Sequence, residues 1–429
     1  MTAEIAILNK EAVALAADSA VSAHIGNGNK IFTSANKLFA LSYQHPVGIM
    51  VYNNAHFMEV PWETIIKTFR STIPKKGFDK LEDYTNYFLS FLSHCDAVLP
   101  SDVEARYLVN FISGNFIQIR KDLETRVTTI FRDKGKIDDA TTNNVLSELI
   151  DTQKTLWEKA DGTADGCAVV EVGTNAVNQY KKEIEGLINS IFINLHLSEE
   201  LKNALFVIGA NIICKGYNGT SNSGIVIAGF GEKEYFPSIH AFSVEGKVHD
   251  ILRRNAIFKA TVSSTQPGLI IPFAQREMVD RFMEGVDPAY KSIVNGYVSE
   301  LCKEYAKKVV ENVDGIPTAK KDNLREALIK VGENLAKDFE RKISQAAVNQ
   351  FILPVYSVIS LLPKNELAIM AESLVSITSL KRQFSAQEET VKGPIDVAVI
   401  SKWDGFIWIK RKHYFQSEFN PQFEKKYEN

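Results

Sequence analysis

Two apolar runs of small residues, 3–8 (AEIAIL) and 12–17 (AVALAA), flank the polar triplet Asn9, Lys10 and Glu11. A buried antiparallel hairpin at the start of the chain satisfies that pattern. Both faces of each run are apolar, which suits a strand covered on two sides better than a sheet with one wet face. A two-residue turn at Asn9–Lys10 would set Thr2 opposite Ala17, and one at Lys10–Glu11 would set it opposite Ser19. Either register brings Asp18 next to Thr2.

The rest of the chain supports a large core. It has 429 residues, 45% of them hydrophobic and 24% charged, enough for two domains or for one domain with long insertions. The 49 basic and 52 acidic residues leave a formal charge of −3, so no electrostatic footprint for nucleic acid or an anionic membrane is present. Cys95, Cys167, Cys214 and Cys302 are widely spaced with no C-x-x-C pair, which predicts free thiols in a reducing compartment. With no signal-like opening and no run of roughly 18 apolar residues, a cytoplasmic protein without a membrane span is expected.

Along the chain, strand and helix patterns alternate in blocks. Residues 38–52 read as two strands broken around His45–Pro46, and Trp62, Ile65, Ile66 and Phe69 then recur at helical spacing. Residues 80–196 read as a mostly helical insertion. IVIAGFG, SIHAFSVEG and NAIFKATVSS read as successive antiparallel strands, and 285–350 as a second helical insertion. A further helix carries Leu367, Ala371 and Leu374, and a final hairpin turns over Trp403–Asp404–Gly405. The aromatic and charged tail after residue 412 reads as a strap on its own domain, the alternative being a partner-binding tail. An α+β layered fold follows.

Most familiar chemistry is absent. There is no H-E-x-x-H and no paired C-x-x-C; His94 and Cys95, neighbours on a helix, point apart and read as structural. GTSNSG fails the nucleophile-elbow spacing, and GNGNK lacks the Walker spacing. Thr2 is different. Removal of Met1, usual before a small residue, would free an α-amine within reach of the Thr2 hydroxyl. Such an amine titrates at about 7.7–8.0, suited to accepting the hydroxyl proton at neutral pH. Asp18 in register and Lys37 before the next strand strengthen this reading; the alternative for that pair is a buried salt bridge holding a sheet together.

TAEIAILNKEAVALAADSAVS followed by NKLFALSYQHPVGIMVYNNA resembles the opening of proteasome β-type subunits and their bacterial proteasome-like relatives among the N-terminal nucleophile hydrolases. The likeness covers the strand-bearing half of the chain. It implies a four-layer αββα sandwich over 1–429, with 80–196 and 285–350 inserted. It also implies that Thr2 is the nucleophile and that Asp18 and Lys37 support it, Lys37 fitting better than Lys30. Ser22, or its neighbour Val21, takes the place of the substrate-lining threonine. Ser264, or Ser263, takes that of the active-site serine. In EETVKGPIDVAVI, Gly393 fits the family glycine, while Glu389 stands where aspartate is expected and Lys392 where serine is. The backbone N–H of Tyr52 or Asn53 would be the oxyanion donor.

The activity implied is threonine-type amide or peptide hydrolysis through an acyl ester, with no metal or cofactor. Self-association is expected with it; whether an unfolding ATPase serves as a partner stays open. Two alternatives are a hydrolase of small amides or acyl conjugates on the same fold, and a catalytically silent assembly subunit.

Overall fold

The computed structural model describes every residue except 1–2, 26–27, 97, 101, 161–169, 196, 216–221, 250, 314–316, 386–392, 414, 416–418 and 421–429. The chain opens with strands β1 (Ala3–Asn9), β2 (Ala12–Ala17), β3 (Val21–Ile25), β4 (Gly28–Phe32), β5 (Leu38–Ala40), β6 (Val47–Asn53), β7 (His56–Phe57) and β8 (Val60–Pro61). Helices α1 (Trp62–Arg70), α2 (Leu81–Ser93), α3 (Val103–Lys134), α4 (Asp139–Lys159), α5 (Val170–Gln179), α6 (Lys181–Ile191) and α7 (Glu199–Cys214) follow. Strands resume as β9 (Ser223–Gly229), β10 (Ser238–Val248), β11 (Ile251–Thr261) and β12 (Gly268–Ala274). Next come α8 (Glu277–Glu284), α9 (Pro288–Asn312), α10 (Thr318–Ala347), a π-helical segment (Val348–Ile352), α11 (Leu353–Ile359) and α12 (Lys364–Gln383). Strands β13 (Asp396–Ser401) and β14 (Gly405–Lys410) complete the described elements. The protein is thus α+β with antiparallel strand pairing.

Two compact units divide the chain, and the stretch read as one domain over 1–429 is described in those two parts. The first comprises residues 1–38, 235–237 and 261–429; the second comprises 39–234 and 238–260. The first holds a five-stranded sheet in the order β12-β1-β2-β13-β14. Its opening hairpin takes the Lys10–Glu11 turn, since Glu4 pairs with Ala17 and Leu8 with Val13. Asn9 holds that turn. Its Oδ1 accepts from the N–H groups of Glu11 (2.9 Å) and Ala12 (3.1 Å), and its Nδ2 donates to the carbonyls of Ile359 (3.0 Å) and Leu362 (2.8 Å).

On the helix-facing side of this sheet, Ala3, Ile5, Ile7, Ala12, Ala14, Ala16, Val397 and Val399 form one core with Leu367, Ala371, Leu374 and Val375 of α12. Three alanines in alternate positions of β2 let the helix backbone approach closely, as close packing requires. The opposite side, with Ala6, Leu8, Val13 and Leu15, is equally buried.

In the second unit, the sheet order is β11-β10-β9-β6-β5, with β9 antiparallel to both β6 and β10. Val47, Ile49, Val51, Ile225 and Ile227 pack with Trp62, Ile65, Ile66 and Phe69 of α1 and with Tyr84 and Phe88 of α2. The expected break at His45–Pro46 and the expected α1 stripe are both present. Helices α3 to α7 build a separate core around Leu108, Ile112, Phe116, Leu146, Ile188 and Ile208. Helix therefore continues past 196 to Cys214, and beyond the later boundary of 350 to Ile359. Among the described residues no helix is long and apolar enough to cross a membrane.

His240 on β10 is buried in the second unit, with Nδ1 3.0 Å from Thr85 Oγ1. Burial, helped by the nearby Lys259 ammonium, holds its imidazole down to about 4, against roughly 6.5 in an unfolded chain. The folded state therefore favours the neutral ring. Its contribution to stability is complete above about pH 6.5 and is lost as pH falls through about 4. His240→Gln should accordingly show a smaller loss of urea midpoint between pH 7 and pH 4.5 than wild type, read by far-UV circular dichroism; equal losses would exclude this role.

Candidate functional site

In the first unit, the Ala3 end of β1 carries a buried ionic cluster. Asp18 follows β2 directly, and hairpin register sets it beside Ala3. The Asp18 N–H donates to the Ala3 carbonyl (3.2 Å), and the Ala3 N–H donates to Asp18 Oδ1 (3.0 Å). Lys37 Nζ donates to the same Oδ1 at 2.7 Å, while Oδ2 accepts from the Ala20 N–H at 3.1 Å. Glu4, on the strand face turned away from α12, brings Oε1 within 3.3 Å of Lys37 Nζ. Relative exposures of 0% for Glu4, 1% for Asp18 and 4% for Lys37 place all three groups out of water.

Charges this deep persist only with partners, because their desolvation costs several kcal/mol per ion. Lys37 holds Asp18 and Glu4 together, and Asp18 locks the first peptide N–H of β1. Lys30 takes no part: it lies exposed on β4, 5.3 Å above the Phe32 ring.

The remaining expected residues fall in different places. Thr2, Glu389 and Lys392 lie outside the described residues. Ser22 is on β3, paired with Ile31. Gly393 comes close to the cluster from its own side. Its φ of +91° is one that residues with a Cβ rarely adopt, and an added Cβ would meet the Thr33 carbonyl oxygen at 2.7 Å. The adjoining Pro394 carbonyl accepts from Ser19 Oγ at 2.5 Å, one residue from Asp18.

Tyr52 and Asn53 belong to the second unit. The Tyr52 ring covers Gly224 on the paired strand, and Asn53, with φ of +69°, donates through Nδ2 to Asn222 Oδ1 at 3.1 Å.

Ser264 lies apart from the cluster. Strand β12 pairs Gly268 with Asn9 and Ala274 with Ala3, so the turn before β12 belongs to the Asn9 end of β1. That end is about 20 Å of strand away from Ala3. Ser264 is exposed there, and Ser263, the other candidate, bonds within the same turn to Thr265 and Gln266.

What β12 delivers beside Ala3 is its other end. Ala274 takes a φ of +60° and is followed by buried Gln275, whose Oε1 accepts from Arg382 Nε of α12 at 2.6 Å. Arg382, also buried, lies 3.6 Å from Glu277. Glu4 was readable in advance as the one charge in an apolar strand. Gln275 and Arg382 carry no such signal, because pairing residues more than a hundred positions apart brings them together.

The second unit has buried cations of its own, among them Lys247, paired with Asp96 and with Glu104 at 3.6 Å and donating to the Ser93 carbonyl at 3.1 Å. These contacts tie loop and helix to β10. Cys95 alongside is buried, its thiol pushed up to about 11 by desolvation, and is inert as a nucleophile at neutral pH. Among the described residues no group of three or more His, Cys, Asp or Glu side chains is arranged to hold a metal ion. No protein-family model matches the chain, and no curated protein matches it.

Complete burial of Lys37 has a direct consequence for stability. Lys37→Ala would leave the Asp18 and Glu4 carboxylates without that counter-ion in a dry site. It should cost about 3–5 kcal/mol, the range for breaking a buried pair, in contrast to the intact folding that an exposed tuning charge would allow. Urea unfolding measures this, and a loss below about 1 kcal/mol would mean that the site is wet.

Proposed function

We propose that the protein is an amide hydrolase whose nucleophile is Thr2, freed by removal of Met1, and that the Glu4–Asp18–Lys37 cluster is its electrostatic support. The observation that carries this reading is the hydrogen bond from the Ala3 N–H to a buried carboxylate that also binds Lys37. Thr2 directly precedes Ala3 in the sequence. We take its free amine and hydroxyl to act beside the carboxylate that holds Ala3.

In the proposed reaction the Thr2 hydroxyl oxygen attacks the substrate carbonyl, and its proton passes through the α-amine to the leaving nitrogen. The C–N bond breaks and an acyl ester forms on Thr2. Water then adds to that ester, returns a proton to the threonine oxygen and releases the acid. The Lys37 ammonium favours the more basic, deprotonated form of the nucleophile, and Asp18 orients that ammonium. Gln275, fixed by Arg382, is a buried amide one residue past the strand partner of Ala3. We give Gln275 the place that the resemblance implies for an active-site serine.

This reading goes with the αββα sandwich of N-terminal nucleophile hydrolases. Support for that arrangement comes from two antiparallel five-stranded sheets, each with helices on one face, and from β1 and β2 being buried and apolar on the other.

Thr2→Ala should abolish hydrolysis of fluorogenic peptides and small anilides without moving the urea midpoint. A panel of β-lactones and peptide epoxyketones should label wild type at Thr2 alone, read by intact mass and peptide mapping. Retention of Met1 in active protein, or labelling unchanged in Thr2→Ala, would leave the cluster as a purely structural ion network.

A further inference from the structure

Helix α9 leaves five large side chains in water along one stripe. Tyr290, Ile293, Tyr297, Leu301 and Tyr305 are all more than half exposed, Tyr297 at 70%. Their spacing confines them to roughly a third of the helix circumference. Another face of α9 packs against α10, where Ala306 and Val310 are buried and Gly332 lets the helices close up. A Cβ at that glycine would stand 3.0 Å from the Cys302 carbonyl oxygen. Beside Tyr290 the surface dips into an apolar groove of about 180 Å³ lined by Val286, Val294, Phe339 and Ile343.

We propose that a second copy of this chain covers the stripe, its α9 lying antiparallel to the first about a two-fold axis at Tyr297. The pattern itself is self-complementary, as an isologous interface must be. From either end it reads Tyr, aliphatic, Tyr, aliphatic, Tyr, with members seven and four residues before Tyr297 and four and eight after it. Under the two-fold, Tyr290 meets Tyr305 of the second copy, Ile293 meets Leu301, and Tyr297 meets itself. The groove beside Tyr290 receives the incoming tyrosine. One turn farther out, Asp287, which caps α9 and pairs with Arg281 of its own chain, comes opposite Lys308, so no like charges meet at the ends.

Size agrees as well. The five residues expose on the order of 700 Å², close to the roughly 800 Å² per partner of a stable interface, and the stems of flanking lysines and glutamates supply the remainder. Tyrosine-rich composition is that of an interface core rather than of ordinary surface.

The interface is independent of the hydrolase reading, and its test needs no activity. In light scattering of the full chain, wild type should have a mass that is a multiple of two chains, and Tyr297→Glu, which sets two carboxylates against each other, should halve it. Far-UV circular dichroism controls for folding. Under mild oxidation Tyr297→Cys should give a covalent dimer. Tyr290→Cys alone should give none, yet should cross-link when mixed with Tyr305→Cys. A monomeric or odd-numbered wild type, or an assembly that survives Tyr297→Glu and does not cross-link through position 297, would overturn the proposal.

Discussion

The Asp18 carboxylate accepts hydrogen bonds from the Ala3 N–H, the Ala20 N–H and the Lys37 ammonium. Those bonds tie the start of β1, the exit from β2 and Lys37 to one buried point. A carboxylate taken out of water is tolerated only when such donors replace its hydration. The constraint runs in both directions. Asp18 fixes where the chain begins its first strand, and the hairpin in turn holds Asp18 where water cannot reach. The two-residue turn at Lys10–Glu11 is therefore part of the site, although it sits at the far end of the strands. A one-residue slip would turn every side chain of the hairpin to the opposite face and carry Glu4 away from Lys37.

Around that point the sheet acts as a positioning device. Antiparallel pairing converts sequence distance into a fixed meeting place, so residue 274 lies beside residue 3 while residue 268 lies beside residue 9. Pairing therefore puts Gln275, and not the turn that holds Ser264, at the Ala3 end. Helix α12 adds Arg382 because the alanines of β2 leave it room to lie close to the sheet. Gln275 and Arg382 hold one another there, each buried and bonded to the other.

The long helices obey different physics. Those of the second unit enclose a core of their own, so they are satisfied where they are. Helix α9 is not, since its tyrosine stripe faces water among the described residues. An amphipathic helix with apolar residues on two sides has one more surface to bury than its hairpin partner can cover.

Much of this architecture is legible in the chain. Two runs of apolar residues around Asn-Lys-Glu specify the opening hairpin, and the helical spacing of Trp62, Ile65, Ile66 and Phe69 specifies α1 and the face it buries. Asp18 and Lys37 are readable as charges bordering apolar strands, and Glu4 as a charge within one. The hairpin turn, left between two registers by the sequence, is settled by Asn9 reaching carbonyls of residues 359 and 362. The same holds for Gln275 and Arg382, and for the exclusion of Ser264. Local pattern determines what each segment is and which side is apolar. Only pairing between distant segments, driven by burial and completed by hydrogen bonds, decides which polar groups meet.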